Sequence, residues 1–424
     1  MKIGILTFYR VANFGANLQA LSTYSYLCKH GHEVVFLEYV SFQTVWLRLV
    51  SYYKNFIKPK RSYLQLAEHF KFIDNNMKEQ IPHLLTADRV RNAIKKHGID
   101  AVIIGSDAVV QNWPLFSTLK LGKRRPYWIE PLPSERRYPN PFWGYGFSDI
   151  IPTAMMSVSS QNSKYQKFSR YMLKRMGKSL KRLKYISVRD AWTKDMMLAA
   201  GPELSIDITP DPVFALNQNV GEKIPLEEDI RNRFVLPDKY VLIGMRTQIL
   251  SIPFLEALND AMRIEGKECV AFPIDGAMAF SHPFKHSISI PLSPLDWYAL
   301  IKYSAGYVGS NMHPIVSSLA NGVPCYSLDN WGSTNFWGKK ENNASSKVFD
   351  ILKQYGLENN WAQIENNVCN VTVNEIVKRL KEYPIEQVIT ISKVRYAKYE
   401  KMMQDIIESL FGSCLLYTSD AADE

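Results

Sequence analysis

The stretch "AGYVGSNMHPIVSSLANGVPCYSL" (residues 305–328) reads as strand, helix and strand in direct succession. Residues 305–310 are short and apolar, and Pro314 is best tolerated in a first helical turn, so the helix is expected to begin there. Asn321-Gly322 suits its C-terminal end, and "VPCYSL" (323–328) reads as the next strand. His313, one of only eight histidines, then stands at the helix N-terminus beside free N–H groups and the positive end of the dipole. Such a position suits an anion, although a histidine there can equally cap the helix or fill a gap beside it.

The same alternation extends outward in both directions. "KIGILTF" precedes a helix over about 16–30 and the strand "EVVFLEYV". A helical insertion is expected over about 43–84, with aromatic and basic residues mixed. "RVRNAIKKHGI" leads into "DAVIIGS"; an irregular stretch (113–150) follows, and then the strands "TAMMSV" and "YISVRD" with a basic helix between them. "SIDITPDPVF" closes this half, and a polar segment (216–238) separates it from a second series beginning with "YVLIGMR". Strands alternating with helices at this spacing imply parallel sheets covered on both faces. The chain is therefore divided into an α/β domain at 1–215, a second at 216–385 and a terminal helix at 386–412 that returns to the first. Two such domains leave a cleft at the C-terminal ends of their strands, where ligands bind in open α/β sheets. The tail "SCLLYTSDAADE" (413–424) breaks with everything before it and reads as adapter-derived rather than native.

Composition narrows the partners. At 424 residues and 46% hydrophobic content, the chain can bury two sizeable cores. The five cysteines (Cys28, Cys269, Cys325, Cys369 and Cys414) are scattered without metal-ligand spacing, which fits a reducing cytoplasm and predicts no metal and no disulfide scaffold. No apolar stretch approaches the roughly 20 residues needed to span a bilayer. The net charge of +10 favours anionic partners, but no nucleic-acid motif accompanies it, so nucleic acid is not expected. In "KFSRYMLKRMGKSLKRLKY" (167–185), apolar residues recur at helical spacing under a basic face. That face is either simply solvated or the seat of a salt-sensitive, peripheral membrane contact.

Three loops end strands on the expected cleft side. In "YRVANFGANLQA" (9–20), Asn13 and Gly15 make a tight turn and Gln19 follows in the first turns of the helix. This is not a dinucleotide fingerprint, yet it lies where anionic or sugar groups sit in such folds. "VIIGSDAVVQNW" (102–113) offers Gly105, Ser106 and Asp107; either Ser106 or Asp107 caps a helix, or Asp107 holds a sugar hydroxyl. "YISVRDAWTKDMM" (185–197) sets Arg189 beside Asp190, as a structural pair or with Arg189 as a fork for carboxylate or phosphate.

Taken in order, "ILTFYRVANFGANLQA", "VIIGSD", "YISVRD", "PDPVF" (210–214) and the stretch ending in "SNMHPIVSSLANGVP" resemble the polysaccharide pyruvyl transferase family. The resemblance covers about residues 1–330. It implies two Rossmann-like parallel-sheet domains facing a cleft, as in the GT-B glycosyltransferase architecture. It also implies transfer of the enolpyruvyl group of phosphoenolpyruvate onto a sugar of a cell-surface or extracellular polysaccharide as a ketal. By position His313 matches the family's active-site histidine, and Arg189 the arginine of its S-x-R-D/E motif. Asp107 is expected to orient the acceptor. Asn13, Gly15, Gln19, Gly105, Ser106, Asn311 and Pro314 are expected to line the substrate sites. Ser310, Asn311 and Pro314 differ from residues common in the family around its histidine.

The implied donor needs cationic forks and helix N-termini for its carboxylate and phosphate, and a histidine to donate or relay a proton. The partners expected are phosphoenolpyruvate as substrate, no resident cofactor, and a sugar or lipid-linked oligosaccharide acceptor at the cytoplasmic face of the membrane. Two other readings stay open: a nucleotide-sugar-dependent glycosyltransferase on the same architecture, and a non-catalytic glycan-binding protein.

Overall fold

The computed structural model describes residues 1–57, 61–113, 119–122, 125–129, 133–161, 163–274, 278–329, 333–334, 340–341, 346–365 and 368–412; the tail read as non-native lies outside them. Seven strands form the first sheet, in the order Gln80–Leu84, Glu33–Tyr39, Lys2–Leu6, Ala101–Asp107, Thr153–Val158, Tyr185–Val188 and Asp207–Ile208, all parallel. The second sheet runs His286–Ser287, Glu268–Ala271, Tyr240–Gly244, Gly306–Gly309, Cys325–Asp329, Trp361–Glu365 and Val368–Cys369, with only the last strand antiparallel. Each order steps outward from its first strand and then reverses, which is the doubly wound pattern the alternation implied. The reversal points lie between Lys2–Leu6 and Ala101–Asp107, and between Tyr240–Gly244 and Gly306–Gly309.

The inner faces of the two sheets belong to one continuous apolar core. Ile3, Ile5, Phe36 and Ile103 from the first sheet join Leu242, Val270 and Tyr307 from the second. Helix α1 (Phe14–Lys29) lies between them, where Phe14 stacks on Trp297 with ring centroids 5.1 Å apart. The helix Ile385–Phe411 packs against the Thr153–Val158 strand, and its Tyr399 meets Tyr26 of α1 edge-on at 5.8 Å.

Local differences from expectation have local causes. The stretch expected to be a helical insertion holds α2 (Phe42–Ile57) and α3 (Arg61–Asn76), but Gln80–Leu84 is a strand that extends the first sheet at its edge. The span 216–238 is not a bare linker: it contains the helices Leu216–Val220 and Glu227–Phe234. The stretch expected to be irregular contains a hairpin, Leu119–Gly122 with Arg125–Ile129. The basic helix is confined to Arg170–Leu180, with Met176 and Leu180 buried in the first-domain core and Lys174 and Lys178 exposed. The helix of the opening stretch begins at Met312, two residues before Pro314. Proline is tolerated there because the first turn has no intrahelical acceptor for its missing N–H.

Candidate active site

His313 is the second residue of Met312–Ala320 and projects across the cleft onto the start of α1. Its ring lies so close to Gly15 that a Cβ there would stand 2.0 Å from Cγ. Glycine is therefore required at residue 15 by close approach, not by its turn. Nε2 of His313 is buried and has no hydrogen-bond partner. Burial holds the imidazole below its ordinary pKa; Asp211 opposes this, and Arg189 reinforces it. A neutral ring with one open nitrogen can accept a proton or a hydrogen bond. Asn311, the residue before the helix, has φ +88° and makes no side-chain cap. A positive φ at a non-glycine residue is strained backbone of the kind that clusters at functional sites.

Arg189 follows directly on the strand Tyr185–Val188, and its side chain is only 6% exposed. Its Nη1 donates to the buried Asp211 carboxylate, while Nη2 lies 3.8 Å from Asp107. Burial works against the charge, but Asp211 and Asp107 outweigh it and hold the guanidinium above its usual pKa. Nε is buried without a partner, so the fork keeps one unused donor. The sequence neighbour Asp190 is not the ion-pair partner. It caps the helix Ala191–Ala200, accepting from the Thr193 backbone and hydroxyl at 2.7 Å each.

Lys347, the first residue of the helix Lys347–Lys353, joins this group from the second domain. Its Nζ donates to Ser159 Oγ and lies 3.8 Å from Asp190. A cation at a helix N-terminus opposes the dipole. Burial pushes the ammonium down to about 8, with Asp190 partly restoring it and Arg189 lowering it further. Arg189, Asp190, Met312, Lys347, Asp350 and Gln354 line a cavity of about 240 Å³.

Of the residues expected at the site, His313, Gly15, Arg189 and Asp107 come together. Asn13 instead caps α1, its Oδ1 accepting from the Ala16 N–H at 2.9 Å. Ser106 is fully buried and donates to Ser157 O at 3.0 Å, and Gly105 is packed where a Cβ would stand 2.3 Å from Met156 O. These three hold the scaffold. Gln19 is tied to Thr7 Oγ1 at 3.2 Å but leaves Oε1 buried and unpartnered. Pro314 is buried. Asp211 and Lys347 carry no site role in the sequence reading. Asp211 sat inside the quoted "PDPVF" motif, whereas Lys347 shows only a Ser346 helix-cap signal.

Two doubly wound α/β domains facing one cleft define a two-domain fold of the GT-B type, and a histidine, an arginine and a lysine lie at that cleft. A structure from Listeria monocytogenes assigned as a UDP-N-acetylglucosamine 2-epimerase shares it, with TM-score 0.50 and 11% identity over 96% of each chain. The Neisseria meningitidis UDP-GlcNAc 2-epimerase bound to UDP-GlcNAc gives 0.49 and 9% over 96% of this chain and 100% of that one. A Rickettsia africae glycosyltransferase gives 0.47 and 11% over 99% of each. No curated protein sequence matches the chain. The family model of polysaccharide pyruvyl transferase matches residues 13–332, and the chain belongs to that family.

Proposed function

We propose that the protein transfers the enolpyruvyl group of phosphoenolpyruvate to a sugar diol, forming a pyruvate ketal on a carbohydrate destined for a polysaccharide. The observation that carries this reading is the convergence of Arg189, with its unused Nε donor, Lys347 and the open Nε2 of His313 in a chain of this family. Arg189 and Lys347 suit the donor's carboxylate and phosphate, with Asp211 holding the guanidinium in place. Addition of a proton to the methylene carbon makes C2 electrophilic, and a sugar hydroxyl forms a C–O bond there. A second hydroxyl of the same sugar displaces phosphate, and the two hydroxyl protons balance the methyl group and the departing phosphate. His313, neutral in the free cleft, relays these protons; a phosphate dianion beside it favours its charged form. Asp107 is the candidate to orient the acceptor, which is a sugar or lipid-linked oligosaccharide. The reading requires no resident cofactor or metal and places the work at the cytoplasmic face of a membrane.

The test is a thermal-shift titration of the full chain with phosphoenolpyruvate and, in parallel, nucleotide sugars. Stabilisation by phosphoenolpyruvate that is lost in Lys347→Met is the expected result. Stabilisation by a nucleotide sugar alone would replace this reading with that of a glycosyltransferase.

A further inference from the structure

Helix α2 is built inside out. Phe42, Trp46, Leu49 and Tyr53 are 69%, 56%, 58% and 67% exposed. At 100° per residue these four positions fall within an arc of about 60° on one side of the helix. The polar residues face inward: Thr44 donates to Glu135 Oε1 at 2.8 Å, and Arg48 binds Glu38 Oε1 at 2.6 Å. A helix of a globular protein normally buries its apolar stripe, so an outward aromatic stripe calls for an apolar cover.

The charge pattern says what the cover is. From Phe42 to Ala67 the sequence carries five cations (Arg48, which faces inward to Glu38, and Lys54, Lys58, Lys60 and Arg61) and no acidic residue, in a chain of net charge +10. A second copy of so one-signed a segment, set against the first by two-fold symmetry, would bring like charge against like charge. An anionic bilayer suits both the exposed aromatics and the one-signed charge of this segment. Trp, Tyr and Phe beside Lys and Arg is the composition of helices that lie in the membrane interface. The patch also continues inward: a cavity of about 660 Å³ opens between α2 and α3, lined by Val45, Leu49, Leu66 and Phe70, with Lys71 at it and Arg10 paired to Asp74. Arg10 belongs to the loop that leads into Asn13 and α1, so the patch borders the first-domain rim of the cleft.

We propose that α2 docks the protein on an anionic lipid surface, its Phe42, Trp46, Leu49 and Tyr53 stripe entering the interface. This docking stands independently of the donor assigned above. It also differs from the contact expected at Arg170–Leu180, whose apolar residues Met176 and Leu180 are already committed to the core. No helix among the described residues is long and apolar enough to cross a membrane, so attachment by this route is peripheral.

The experiment is flotation of the full chain with phosphatidylcholine vesicles, with and without about 30% phosphatidylglycerol. Three chains are compared: wild type, Trp46→Asp/Tyr53→Asp and Lys174→Glu/Lys178→Glu. Wild type is expected to float with the anionic vesicles and to remain partly bound in about 1 M NaCl, because the apolar contribution is not screened. The aromatic double variant should partition about tenfold more weakly or worse with an unchanged melting temperature, since both side chains are exposed. The lysine double variant should float like wild type in high salt. The proposal is overturned if wild type stays at the bottom, or if the aromatic variant floats equally well. It is also overturned if sedimentation shows a wild-type dimer that the aromatic variant converts to monomer.

Discussion

Replacing Gly15 by alanine tests whether the two domains are held at the distance on which the site depends. The new Cβ would lie 2.0 Å from His313 Cγ, 2.2 Å from Nδ1 and 2.3 Å from Cδ2. Carbon atoms settle at about 3.5–4.0 Å, so the ring must retreat by about 1.5 Å or the cleft must open by as much. The backbone of α1 has little room to yield. Phe14 is stacked on Trp297, Asn13 caps the first turn, and Asn17 Nδ2 grips Tyr9 O at 2.5 Å. Alanine itself favours helix by up to about 1 kcal/mol over glycine, so the fold should survive. A catalytic group displaced by about 1 Å can cost about 100-fold in rate. Because burial is what depresses the His313 pKa, a displaced and hydrated ring should titrate closer to the ordinary histidine value. Proton NMR of the His313 C2–H resonance reads this directly, and the phosphoenolpyruvate thermal shift reads the site. If Gly15→Ala leaves both unchanged, the contact between α1 and His313 does not set the geometry and the reasoning fails.

Arg189→Ala strands the carboxylate of Asp211, which is 2% exposed, and should cost about 3–5 kcal/mol in denaturant unfolding. Adding Asp211→Asn should return most of that stability without restoring the response to phosphoenolpyruvate. Arg189→Lys should also fail to restore it, because lysine lacks the fork. Binding of phosphoenolpyruvate should weaken as pH rises through about 8, where Lys347 loses its proton, and calorimetry on Lys347→Met should show no such step. His69 is fully buried, with Nδ1 donating to Asn17 Oδ1 at 2.5 Å, and burial holds it down to about 4. The unfolded chain therefore binds its proton first as pH falls. The stability present above pH 6.5 should decline by about 3 kcal/mol toward pH 4, and His69→Gln should flatten that slope in urea melts.

The alternation of short apolar strands with helices determined the doubly wound sheets, because parallel strands need crossovers of this length and both faces must be covered. Pro314 likewise marked a helix N-terminus beside His313 from local chemistry alone, two residues from its observed start at Met312. Residues 80–84 could not be assigned this way. Their burial shows no alternation, with Leu84 alone of the five buried, and only pairing with Glu33–Tyr39 makes them a strand. Nor could local sequence separate the two neighbours Arg189 and Asp190. The strand end directs the guanidinium to Asp211, 22 residues away, and turns the carboxylate back to cap its own helix. Tertiary structure alone decided that Gly15 serves His313, 298 positions apart, and that Lys347 joins Arg189. Such pairings depend on how two sheets close on one another, a long-range outcome of packing that no local period or cap encodes.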